Sequence, residues 1–170
     1  LITNYHVLEN AVAGFVELHI AEKGLPSEKS IRIQFNESII NGNKLGNLDL
    51  IAIPLASTLN ELKQKGINIF YRTVDQNMLP KEEQIEYFAA IEDITFIGYP
   101  SGLYDSVNKL PIIRQGITAT PIWNQFNGEN VFLIDAGVFP GSSGSPVFIY
   151  NHGSYPTKDG IAIGNRLLFI

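Results

Sequence analysis

Apolar and polar residues alternate with a period of two along much of this chain. Phe15-Val16-Glu17-Leu18-His19-Ile20 and Ile31-Arg32-Ile33-Gln34-Phe35 both have the rhythm of half-exposed strands. Leu1 to Leu8 reads as a buried strand running into a turn that carries His6. Glu22 to Ser30 holds Gly24 and Pro26 among charges and reads as a loop. Asn41-Gly42-Asn43 is a hairpin-type turn signal leading into a strand over Asn47 to Ile53, with Asp49 inside it. Ser57 to Gly66 predicts a short helix, capped by Ser57 or Thr58 and stopped by Gly66.

Ile67 to Tyr71 predicts a further strand, and Pro80 is suited to open a helical turn over Pro80 to Ile85. Ile91 to Thr95 leads into Phe96-Ile97-Gly98-Tyr99-Pro100-Ser101-Gly102. Leu103 to Leu110 is a polar loop, with Asp105 expected at the surface. Pro111 to Pro121 is strand-like, Asn127-Gly128 marks a hairpin turn, and Val131 to Asp135 returns as a strand. Asn151 to Ser154 is a turn after the strand Pro146 to Tyr150. Many short strands, turns between them and little helix predict an all-β fold.

One stretch breaks the alternation. Gly141-Ser142-Ser143-Gly144-Ser145-Pro146 puts a serine beside glycines at the head of an apolar strand. Glycine allows a sharp turn and the close approach of a substrate. Such a turn exposes one hydroxyl and can aim the N–H groups of Gly141 and Ser143 at a single point, as an oxyanion hole requires. Taken alone, the same residues also suit a solvated turn. His6 and Asp49 change the weighing. Asp49 stands between Leu48 and Leu50, where a buried carboxylate is costly unless it has a partner. The imidazole of His6 would be one. His19 and His152 fall on polar positions and read as surface residues.

Three blocks therefore occur in the order His6, Asp49, Ser143: Thr-Asn-x-His-Val, Asp-Leu-Ile-Ala and Asp-Ala-x-x-x-Pro-Gly-x-Ser-Gly-Ser-Pro. The chain resembles the bacterial trypsin-like serine proteases, whose triad uses this order. Among these it is most similar to the high-temperature-requirement and glutamyl endopeptidase types. The resemblance implies a chymotrypsin-like double antiparallel β-barrel. It assigns 1–55 to the first barrel, 56–90 to a decorated crossover and 91–170 to the second barrel. It also implies a fragment cut at both ends, with strands missing before His6 and after Ile170.

The catalytic residues it implies are His6, Asp49 and Ser143, with Gly141 and Ser143 N–H as the oxyanion hole. Asp135 matches an Asp-Ala pair of the family and is expected to bond the turn rather than react. Ser142 departs from the Asn or Asp usually found before the nucleophile, which alters how the loop is held. Gly137, Val138 and Phe139 line the implied substrate pocket. Gly137 stands where a preference for Arg or Lys would need an aspartate, so small or apolar residues are expected instead.

Composition narrows the partners. The 170 residues are 45% hydrophobic, enough for a sizeable core. A net charge of −5 argues against nucleic acid. No run of apolar residues reaches the roughly 18–20 needed for a membrane span. There is no cysteine, and three scattered histidines make a poor zinc site, so no metal or cofactor is expected. The absent cysteines leave the compartment open between cytoplasm and secretion. The expected activity is a serine endopeptidase acting on protein or peptide through an acyl-enzyme. The alternative is a latent or degenerate module of the same fold that binds peptides or acts as a sensor.

Overall fold

The computed structural model describes residues 1–85 and 87–170. The chain is mostly β, with 38% strand against 17% helix, and its sheets are antiparallel. Among the described residues no sheet closes into a barrel. Two compact units divide the chain, Leu1–Thr73 and Val74–Ile170.

The first unit begins with β1 (Ile2–Thr3) and a 3-10 turn over Tyr5–Val7. A long hairpin follows, β2 (Ala13–Glu22) and β3 (Leu25–Asn36). The region 22–30, expected as a loop, is mostly strand. Lys23 and Gly24 both take positive φ, 53° and 80°. That two-residue turn matches the twist of paired strands, so the ladder resumes at once. His19 is not a surface residue either. It is half-buried beside a register shift, and its Nδ1–H donates to the Ser27 carbonyl at 2.7 Å.

Asn41-Gly42-Asn43 does not form a hairpin turn. It ends helix α1 (Glu37–Gly42), which Asn36 caps by accepting from Ile39 N–H at 3.1 Å. Asn and Gly mark helix ends as well as hairpins. Strand β4 (Ile51–Ala52) is shorter than expected and pairs with β1. Helix α2 (Ala56–Gln64) starts at Leu55, with no side-chain cap from Ser57 or Thr58. It ends as expected at Gly66, where Ile67 N–H reaches the Leu62 carbonyl and Gly66 N–H the Lys63 carbonyl. Of the strand expected over Ile67 to Tyr71, a single bridge remains, Ile69 against Ile20. Phe35, Ile40, Ile51 and Ile53 form this unit's core.

The second unit opens with a 3-10 turn (Gln76–Met78) and a short helix α3 (Glu82–Ile85). Its main sheet uses β5 (Asp93–Gly98), β6 (Ile112–Thr118), β7 (Ile134–Ala136), β8 (Val147–Asn151) and β11 (Arg166–Phe169). The strand order is β11-β8-β5-β6-β7, all antiparallel. A separate hairpin, β9 (Ser154–Thr157) with β10 (Gly160–Ile163), fills the connection between β8 and β11. Phe88, Ile94, Ile149 and Leu168 form the core.

One connection of this sheet matters for chemistry. The chain leaves β7 at one edge and must reach β8, three strand spacings or about 14 Å away. It does so by crossing the end of the sheet where β5 stops at Gly98. That crossing segment, 137–146, contains the serine-glycine stretch.

Candidate active site

The pairing of β1 with β4 brings His6 and Asp49 together within the first unit. Thr3 lies opposite Ile51, and continuing that register brings the turn after β1 opposite Asp49. Tyr5 N–H accordingly donates to the Asp49 carbonyl at 3.2 Å. Tyr5 and Leu8 on one side of the pairing, and Ile51 and Ile53 on the other, are anchored in the same core cluster. Burial of neighbours thus fixes two polar residues that are themselves about half exposed, 52% for His6 and 51% for Asp49.

The Asp49 carboxylate gathers three donors. Oδ1 accepts His6 N–H at 2.8 Å, and Oδ2 lies 2.5 Å from His6 Nδ1. Asn4 Nδ2 donates to Oδ2 at 3.3 Å and to the Asp49 carbonyl at 3.1 Å. The backbone N–H of His6, and then its ring, hold the Asp49 carboxyl below the usual carboxylate range. An ionised carboxylate only accepts, so Nδ1 carries the proton and Nε2 is the basic nitrogen. The ring of His6 is thereby held in one tautomer and one orientation. The expectation of a buried Asp49 is corrected: Leu48 beside it is exposed, and the buried strand begins only at Ile51. Asn4 belonged to the histidine motif, but its grip on Asp49 was not foreseen.

The serine-glycine loop belongs to the second unit. Ser143 and Gly144 are exposed on the crossing loop, and the flanking Ser142 and Ser145 are half-buried. Gly141 has φ +82° and Gly144 φ +80°. A side chain at Gly141 would meet the Tyr99 carbonyl at 2.9 Å, so two separate constraints require glycine there. The turn Pro100–Gly102 supports the loop from below, with Ser101 N–H donating to the Pro140 carbonyl at 2.5 Å. Ser142 N–H donates to the Phe139 carbonyl and Ser145 N–H to the Ser142 carbonyl, each at 3.0 Å.

These contacts separate the three serines. Ser142 Oγ accepts from Arg114 Nη1 at 2.8 Å and from Phe139 N–H at 3.2 Å. Both its lone pairs are thereby engaged, which leaves it a poor nucleophile. The Ser145 hydroxyl lies against Gly98, where any added Cβ would overlap it. Ser143 is the exposed residue of the three.

Gly137, Val138 and Phe139, expected to line a pocket, are exposed at the start of the loop. Arg114 Nη1 also donates to the Gly137 carbonyl, at 3.2 Å. Asp135 does not bond the turn. It is an exposed residue of β7 opposite Ile117, and its phase on the strand carries the carboxylate outward. Asp105 organises its own loop instead, accepting from Val107 N–H at 3.0 Å and Asn108 N–H at 2.9 Å. Sequence reading missed Arg114.

Among the described residues no group of three or more His, Asp or Glu could hold a metal ion, and no helix is long and apolar enough to cross a membrane. Comparison with models of protein families, with curated proteins and with solved structures gives no match.

Proposed function

We propose that the chain is a serine endopeptidase using Ser143, His6 and Asp49. The observation that carries this reading is the His6–Asp49 pair, in which one carboxylate takes both the ring and the backbone N–H of the same histidine. A structural ion pair needs no such double grip. A general base does, because it must keep one tautomer and one orientation.

In the proposed reaction Ser143 Oγ attacks a peptide carbonyl and gives its proton to His6 Nε2. The N–H groups of Gly141 and Ser143 hold the oxyanion. His6 returns the proton to the leaving amine as the C–N bond breaks. Water, deprotonated by His6, then hydrolyses the Ser143 ester and releases the acid. Asp49 stabilises the imidazolium and does not take the proton. On this reading the antiparallel sheets of the two units are the open parts of a chymotrypsin-like double barrel. The substrate is an extended peptide, and the exposed Val138 and Phe139 favour small or apolar side chains over cationic ones.

The exposure of His6 and Asp49 favours a second reading, a latent member of this class that binds peptides or responds to a partner. Water at the pair weakens its electrostatics relative to a closed site. Incubation with an unstructured protein substrate separates the two. The enzyme reading expects cleavage that falls at least about 10³-fold in Ser143→Ala and in His6→Ala. Equal cleavage by Ser143→Ala would sink it, and binding without cleavage in the parent chain supports the latent module.

A further inference from the structure

We propose that Arg114 is the positioning residue of the nucleophile loop, a half-buried cation that ties the loop's entry to the residue before Ser143. The proposal rests on Ser143 being the nucleophile.

Arg114 stands on β6 directly opposite Phe96 of β5, on the buried face of the sheet. Its guanidinium carbon lies 4.3 Å from the centre of the Phe96 ring. Nη1 donates to two points of the crossing loop, the Gly137 carbonyl at 3.2 Å and Ser142 Oγ at 2.8 Å. Nε and Nη2 are buried without a hydrogen-bond partner. Gly98 makes the room: a Cβ there would come 3.4 Å from Nη2 and would overlap the Ser145 hydroxyl.

This is an expensive way to fill space. Arginine stays charged in proteins, and burying its N–H groups unpaired costs stability. The ring of Phe96 offsets part of that cost. A leucine or methionine would fill the position without it. What an apolar side chain could not do is bond the loop at both Gly137 and Ser142. The segment between them carries Gly141, and Ser143 follows at once. Their N–H groups are the ones the proposed reaction uses, and such donors contribute only when held in place beforehand.

Ser142 completes the device. Its hydroxyl accepts from Arg114 and from Phe139 N–H, so one oxygen couples the sheet to the turn. Serine can therefore stand before the nucleophile because a cation arrives from β6 to fix it.

The test compares the parent chain with Arg114→Gln, Arg114→Lys and Ser142→Ala. Amide hydrogen exchange over 137–145 reads the loop itself, and fluorophosphonate labelling with peptide hydrolysis reads its use. Arg114→Gln should speed exchange at Phe139 and Ser142 at least about tenfold. It should slow labelling about 10²-fold, the scale of losing one oxyanion donor. The loss should fall on kcat with KM unchanged, since a loop held for the transition state alone affects kcat. Arg114→Lys keeps the charge without the fork and should recover only part. Ser142→Ala should reproduce the defect even if Arg114→Gln fails to fold. Parent exchange rates in Ser142→Ala and in whichever Arg114 variants fold would overturn the proposal. If the parent chain neither labels nor cleaves, the protease reading fails, and the exchange data alone decide whether Arg114 holds the loop.

Discussion

Two acid–base pairs, one in each unit, have the same ingredients and opposite settings. His6 and Asp49 meet at the surface, each about half exposed. Glu92 and Arg166 meet in the core of the second unit, 1% and 9% exposed. The buried pair is satisfied on every side. Glu92 accepts from both Arg166 Nη1 and Nη2 and from Ala89 N–H at 2.8 Å. Arg166 Nε donates to Asn151 at 2.9 Å, and its guanidinium lies 4.2 Å from the Tyr155 ring centre. Such a pair holds a fold together, because removing one partner strands a charge in low dielectric. An exposed pair adds little to stability. Folding alone therefore gives little reason for the two-point hold on His6, which the proposed function would use.

The largest effect that tests this contrast is on the buried side. Glu92→Ala should destabilise the chain by about 3–5 kcal/mol, seen as a lower melting temperature by calorimetry. A variant that melts with the parent chain would remove the contrast. The smaller effect is on the exposed side. Asp49→Asn should leave melting at neutral pH nearly unchanged while lowering the proposed turnover.

The same residue makes a prediction about acid. The folded-state pKa of Asp49 lies below its unfolded value, so its contribution is fully present above the ordinary aspartate range. It should be lost as pH falls through the depressed folded value. An NMR titration of the Asp49 carboxyl should show a midpoint below 3.8. A midpoint at or above that figure would mean the three donors do not act together.

The difference between the His6–Asp49 pair and the Ser143 loop also explains what could be read from sequence. The histidine block and the Asp49 block are short, and one strand pairing brings them together. Asn4, Tyr5 and His6 all touch Asp49. The loop around Ser143 was legible only in its glycines. Its restraint comes from Ser101 and Arg114, and Arg114 lies 23 and 28 residues before its two partners. No local pattern marks a cation that folds under a loop.

The misread elements fail for a related reason. Asn41-Gly42-Asn43 carries a turn signal that also suits a helix end, and Asn36, five residues before Asn41, decides between them by capping α1. Leu48 and Leu50 suggested burial for Asp49, yet Leu48 faces solvent and full burial begins only at Ile51. Alternation identified β2 and β3, but the strand expected over Leu1 to Leu8 is confined to Ile2–Thr3 and is not buried, and the sheet order depends on contacts between distant segments.

The central question is whether Ser143 is an activated nucleophile. The most direct measurement is intact-mass analysis after fluorophosphonate treatment, followed by peptide mapping, for the parent chain and its His6→Ala and Ser143→Ala variants. The account predicts one adduct per chain on Ser143 and none in either variant. An adduct on Ser142 or Ser145, or labelling of His6→Ala at the parent rate, would contradict it.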